Sequence, residues 1–140
     1  MKKIYPVAIK ACQMHVANKK SEKEVLKKVA ITKKYIIASD SFTILRVKND
    51  GAKSTKTKGF PKIDESKVFK RGDCSLTTIY LNPKYLLRMA ESLKKLSRVD
   101  DSVFKKVKIQ VFGEYEPIVF SLSDREYVEY AIGAIMPIKN

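Results

Sequence analysis

Histidine occurs once in this chain, at position 15, and cysteine twice, at positions 12 and 74. So small a set offers no disulfide framework and none of the ligand spacings of a zinc site. No glycine-rich phosphate loop is present. No apolar run approaches the roughly 20 residues of a membrane-spanning helix. The start, Met1-Lys2-Lys3-Ile4-Tyr5-Pro6, is basic but lacks the long apolar stretch of a signal peptide. These absences point to a cytoplasmic protein with no membrane partner. Acidic residues are also scarce: 15 Asp and Glu stand against 29 Lys and Arg, a formal net charge of +14. Such an excess favours a polyanionic partner, nucleic acid being the commonest. The 140 residues suit one domain with a proper core.

What is there reads as α+β. Tyr5 to about Asn18 has a helical recurrence of Tyr5, Ile9 (or Ala8), Cys12 and Val16, with Lys10 and Gln13 on the other side. Strand-like runs follow at Leu26–Thr32, Tyr35–Ser39 and Phe42–Lys48, rich in β-branched and aromatic residues. Lys33-Lys34 and Asp40-Ser41 supply the turns of an antiparallel meander. Between about 49 and 72 the chain turns polar and basic, with Lys interleaved among Ser and Thr from Lys53 to Lys58. This segment reads as a mobile, solvated loop.

The second half, about 75–139, repeats the order of the first (about 5–48). A strand at Ser75–Leu81 leads to Asn82-Pro83, a cap followed by proline at the first helical position. The helix runs to about Arg98, with Tyr85, Leu86, Met89, Leu93 and Leu96 as its apolar face. Strands are expected at Val107–Phe112, Pro117–Leu122 and Tyr127–Met136. Helix plus three strands, given twice, is an internal pseudo-repeat, which constrains a fold more than any single element.

The sites weighed for catalysis read as structural. Cys12 and His15 share a helix, but no orienting partner or oxyanion feature accompanies them. Asp40 is placed as a turn residue that bonds its own backbone. Neither Asp64-Glu65 nor Asp100-Asp101 has further ligands at useful spacing for a metal. The expectation is no catalytic residue, no metal and no cofactor. On the second helix, by contrast, Lys84, Arg88, Glu91, Lys95 and Arg98 recur at spacings that form one stripe. Lys94 lies beside it, and Lys10 of the first helix points the same way. Such a stripe suits a DNA phosphate backbone, contacted without reading bases, or else a solvated outer face.

Several stretches together resemble the bacterial DNA sliding clamp, the β subunit of DNA polymerase III. Leu81-Asn82-Pro83-Lys84-Tyr85-Leu86-Leu87 is similar to the family's opening of a domain's second helix. Ile36-Ile37-Ala38-Ser39-Asp40-Ser41, followed by Ile44-Leu45-Arg46, resembles its hairpin. Gly59-Phe60-Pro61 resembles the link between the halves of a domain, and Met136-Pro137-Ile138-Lys139 the end of the clamp polypeptide. The motifs stand in clamp order and span the chain from about Tyr5 to Lys139. The resemblance implies two helices on two small antiparallel sheets in pseudo-twofold arrangement. It also implies helices that line a ring and hold double-stranded DNA sequence-independently, here through Lys10, Lys84, Arg88, Lys94, Lys95 and Arg98. A pocket for peptides of polymerases and other clamp clients would include Met136, Pro137 and Ile138. The family chain carries three such domains and this chain one. The implied assembly is therefore either a homo-oligomeric ring of six copies or a monomer, such as a phage or mobile-element genome would suit. An alternative is a protein-interaction module that regulates a host clamp or polymerase, docking through an open sheet edge.

Overall fold

Tyr35–Ser39 and Thr43–Lys48 (strands β2 and β3) pair antiparallel across the Asp40-Ser41 turn, with Ala38 opposite Leu45. A two-residue strand, Ala30–Ile31 (β1), flanks β2 on its other side. Lys108–Gln110 (β4), Ile118–Ser123 (β5) and Glu129–Ile135 (β6) form a second antiparallel set. The computed structural model describes residues 3–55, 59–72, 78–98, 106–123 and 128–139. Two separate sheets were expected. Instead β3 pairs directly with β6, Thr43 opposite Ile135 through Val47 opposite Ala131, and fuses both sets into one six-stranded sheet of order β1-β2-β3-β6-β5-β4. The cause is that both strands present apolar residues to both faces, Leu45, Val47, Ala131 and Ile135 to one and Ile44, Ile132 and Ala134 to the other, so the centre of a sheet covered on each side is where they bury most.

Tyr5–Gln13 (α1) and Pro83–Ser97 (α3) lie against each other on one face of this sheet, α1 over β2 and β3 and α3 over β3 and β6. Ala8, Ala11 and Cys12 from α1 and Met89, Leu93 and Leu96 from α3 meet Ile36, Leu45, Val47, Phe120 and Leu122 there. Each of the buried Leu, Ile, Val, Met and Phe side chains contributes about 1.5–3 kcal/mol. α3 begins as its sequence predicts, since the Asn82 side chain accepts from the Lys84 backbone N–H at 2.9 Å. Its apolar face needs one change. Leu86 is exposed, on the flank toward β4, and Ser92 takes a buried place instead. α1 stops at Gln13, short of the expected Asn18, because the chain then bends to bury His15 and Ala17, and the Ala17 N–H reaches the Leu26 carbonyl at 2.8 Å. Asp50, beyond β3, closes the front of α1 by accepting from the backbone N–H groups of Ile4 and Tyr5 at 2.5 and 2.8 Å.

Two strand expectations fail in part. Leu26–Thr32 is a 3₁₀ turn at Glu24–Lys27 followed by the short β1, because Leu26 is drawn into the core while Lys28 stays in water. Of Ser75–Leu81, residues 75–77 lie outside the described residues and 78–81 form no strand. The Tyr80 carbonyl accepts instead from the Ile138 N–H at 2.8 Å.

The segment after β3 has more to bury than its composition suggests. Thr55 is bonded to Ile31 of β1, so the start of the basic loop is tied to the sheet edge. Further on, a helical turn at Glu65–Val68 (α2) and the fully buried Phe69 cover the second face of the sheet, with Phe60 and Ile63. Their partners are Ile37, Ile44, Val119, Ile132 and Ala134. Widely spaced apolar residues among lysines give no periodic signal, so this cover is not visible in the sequence.

A bulge at the β5–β6 ladder positions one charged group. Leu122 opposes Ala131 and Ser123 opposes Glu129, which leaves Tyr130 as the extra residue. Tyr130 and Ala131 both join the helix-side core, and Glu129 is thereby turned to the second face. There it meets Arg46 of β3 at 3.6 Å and Arg71 at 2.8 Å.

Candidate nucleic-acid interface

The outer surface of the helix layer is where most of the expected DNA-contact residues come together. Lys10 on α1 and Lys84, Lys94, Lys95 on α3 are exposed, as is Arg98 at the α3 C-cap. None of them forms an ion pair among the described residues, and the only acidic residue on the exposed side of the two helices is Glu91. Lys94, Lys95 and Arg98 also sit in or after the last turn of α3, where a helix end favours positive charge.

Arg88 departs from the stripe. Its guanidinium is half-buried and bonded to the Asp40 carboxylate at 2.5 Å, with the Tyr85 ring 5.5 Å from it. The reason lies in the α3 flank that carries Arg88 and Ser92. That flank faces α1 and the β2–β3 turn rather than solvent, since the Ser92 hydroxyl also lies 3.5 Å from Met14 Sδ. A cation there must be paired or stay costly to bury. Asp40 is the structural turn residue that its type suggests. One of its oxygens accepts from the Phe42 and Thr43 backbone N–H groups at 3.0 and 2.8 Å, and the other takes Arg88. Phe42 then stacks on Tyr85 with ring centroids 5.6 Å apart, so the turn and α3 are joined twice.

Beneath this join runs a polar chain that the sequence did not announce. His15 is wholly buried, Nδ1 lying 3.0 Å from Thr43 Oγ1 and Nε2 2.8 Å from Ser92 Oγ. Thr43 Oγ1 also lies 3.2 Å from Asp40, and the Ser92 hydroxyl donates to the Arg88 carbonyl at 2.8 Å. Burial, and then the positive charge of Arg88, push the imidazole down to about 4, against a smaller opposite effect of Asp40. Neither ring nitrogen bonds Cys12. The Cys12 thiol points at the carbonyls of Ile36 and Leu45, and burial pushes it up to about 12, far from a nucleophilic thiolate. Only the pairing of a lone histidine with serine and threonine at sheet and helix positions could have hinted at this network, and no spacing rule connects them.

The terminal motif is placed at the same end of the sheet. The Met136 N–H donates to the Phe42 carbonyl at 3.0 Å. Met136 lines an apolar groove of about 230 Å³ with Phe42, Ile44, Ile63, Val68 and Ala134. Pro137 and Ile138 do not line it, although Ile138 and Tyr80 leave further apolar surface exposed nearby. Among the acidic pairs, Asp64 is held below the usual carboxylate range chiefly by the Ser66 hydroxyl, and Glu65 is bonded to Arg46. Asp100-Asp101 and Cys74 lie outside the described residues. Among the described residues no cluster of His, Cys, Asp and Glu could hold a metal ion, and no helix is long and apolar enough to cross a membrane. No protein-family model, no curated protein and no solved structure matches this chain.

Proposed function

We propose that this chain is a non-enzymatic, clamp-like domain that associates sequence-independently with double-stranded DNA through its helix layer. It would tether a replication or repair partner there. One observation carries the reading, a row of cations, unpaired among the described residues, along the outer side of the two packed helices. On the second face of the sheet, Arg46, Arg71 and Lys70 are answered by Glu65, Glu129 and Glu116. On the helix layer only Arg88 is answered, and Lys10, Lys84, Lys94, Lys95 and Arg98 face solvent without a partner among the described residues. A surface of unneutralised cations on helices suits phosphate contact, which positions a duplex without carrying sequence information. A helix followed by three strands occurs twice in the element order, α1 before β1–β3 and α3 before β4–β6 with α2 between them, which supports the reading.

Fluorescence anisotropy with a labelled duplex across a salt series tests this. Binding that weakens linearly with log salt is expected, and replacing Lys94, Lys95 and Arg98 with Gln should lower the slope by about one per cation that contacts a phosphate. Absence of binding at low salt, or binding with no salt slope, refutes it. Ring formation is a separate part of the proposal. Mass measurement with and without DNA distinguishes a hexamer from a monomer.

The exposed apolar cluster of Phe42, Tyr80, Met136 and Ile138, with the groove beside it, favours a second reading. In that reading the chain is a protein-interaction module that docks on a clamp or polymerase. Pull-down with purified clamp and polymerase subunits should then recover one of them, and a Met136→Asp change should abolish the capture. Recovery of neither counts against this reading.

A further inference from the structure

A set of cations remains that the helix layer does not absorb. Lys33 and Lys34 in the β1–β2 turn and Lys48 at the end of β3 border a concave site of about 430 Å³ at one end of the sheet. The remaining walls include Tyr35, Val128 and Ile132, with Arg46 and Glu129 at the side. That volume falls within the range of about 300–1,000 Å³ common for small-molecule pockets.

The electrostatics of the site are lopsided. Among the described residues its one acidic wall residue, Glu129, is already engaged with Arg71 and Arg46. Arg46 is itself buried, bonded to Glu65 and held between the Tyr35 and Phe69 rings at 4.2 and 5.0 Å. These groups balance one another and form a rigid wall. Lys33, Lys34 and Lys48 are exposed and have no ion pair among the described residues. Like charges gathered at one mouth repel, and a bound anion relieves that repulsion.

The mouth is also braced. The Asn49 N–H donates to the Lys34 carbonyl at 2.8 Å, and its side-chain amide donates to the Thr32 carbonyl at 2.7 Å. Thr32 Oγ1 in turn accepts from the Tyr35 N–H at 2.9 Å. The backbone that carries the lysines is therefore set before any ligand arrives, which lowers the ordering cost of binding. The same site is lined by the apolar residues Val128 and Ile132 and by Tyr35.

We infer that this site binds an organic polyanion in which several negative charges adjoin a flat apolar body, the nucleoside triphosphate class. The phosphates would lie on Lys33, Lys34 and Lys48, and the base against Tyr35, Val128 and Ile132. This goes beyond the DNA reading and does not depend on it.

The probes are ATP and inorganic tripolyphosphate, titrated calorimetrically into the full chain at low and moderate salt. Two variants accompany the native protein: one with Lys33, Lys34 and Lys48 replaced by Gln, and one with Lys94, Lys95 and Arg98 replaced by Gln. All these side chains are exposed, and circular dichroism verifies that both variants fold. Saturable ATP binding is expected, weakened by about tenfold or more in the first variant, because charge-assisted contacts to phosphate are strong. In the second variant it should change by less than about twofold at moderate salt, since those residues belong to α3 and its C-cap and do not line the site, and salt screens exposed charges that make no direct contact. ATP should bind more tightly than tripolyphosphate. No saturable ATP binding, equal loss in both variants, or tripolyphosphate binding as tightly as ATP would each overturn the inference. Duplex DNA binding, measured on the same proteins, should fall only in the second variant, so the failure of either reading can be told from failure of the other.

Discussion

Protonating His15 places a charge between two hydroxyls in a volume from which water is excluded. Its ordinary value of 6.5 falls to about 4 in the folded chain, chiefly through burial. The unfolded chain therefore binds the proton more readily. Stability from the neutral imidazole is fully present above the unfolded value, and it is lost as pH falls toward the folded one. Urea denaturation should show stability dropping with a slope approaching about 1.4 kcal/mol per pH unit between roughly pH 6 and 5. A His15→Asn variant should lose most of that slope, whatever its stability at neutral pH. An unchanged native stability over this interval would mean that the imidazole accepts a proton without leaving its place. The same residue shows what one position in a sequence conceals. His15 near Cys12 invites thought of a nucleophile and base, yet the fold sends the thiol to backbone carbonyls and the ring to Thr43 and Ser92.

At the scale of elements, α3 and β6 meet closely at Gly133. A Cβ built there would lie 2.6 Å from Met89 Sδ and 3.1 Å from the Ile44 carbonyl oxygen. The absence of a side chain is what lets the buried Met89 rest on the strand. Gly133→Ala should destabilise by about 1–2 kcal/mol, the Met89 side chain yielding part of the space and the β3 backbone little. A shift in the denaturation midpoint without a change of slope is the expected record, and an unaltered midpoint would show that Met89 moves aside freely. The elements best read in the sequence are those whose signals are local. The Asn82 cap, the proline after it and the helical recurrence of Tyr85, Met89, Leu93 and Leu96 sit within a few turns of one another. The least legible are those whose partners are far along the chain. Phe69 becomes core only because Ile44, Val119 and Ile132 present the second sheet face to it. Arg88 leaves the DNA stripe only because Asp40, far back in the sequence, is brought beneath it.

At the level of the whole molecule, a net charge of +14 acts on a chain of 140 residues. Many lysines have no carboxylate nearby, so compaction brings like charges together. Added salt screens this repulsion, and with a Debye length of about 10 Å at 0.1 M most surface pairs are affected. The thermal midpoint of the free protein should therefore rise by a few degrees, on the order of 1 kcal/mol, between about 0.02 and 0.3 M sodium chloride. The duplex affinity should fall over the same interval. Opposite responses to one variable tie the unpaired cations to binding rather than to folding. A midpoint that falls with salt would instead show that attraction within pairs such as Arg46 with Glu65 outweighs the general repulsion.

The amino-acid order alone determined the α+β class, the second helix with its cap, the two tight turns and the strands nearest them, because each depends on periodicity and turn chemistry within a short window. It also determined the charge excess, and with it the kind of partner sought. Tertiary structure decided which of those charges remain available. It joined the two strand sets through β3 and β6, closed the second face with Phe69, withdrew Arg88 to Asp40 and left Lys33, Lys34 and Lys48 together at one mouth. The physical reason is that helix and turn signals are carried by neighbours in sequence. Neutralisation and burial are properties of neighbours in space, which only the closed fold supplies.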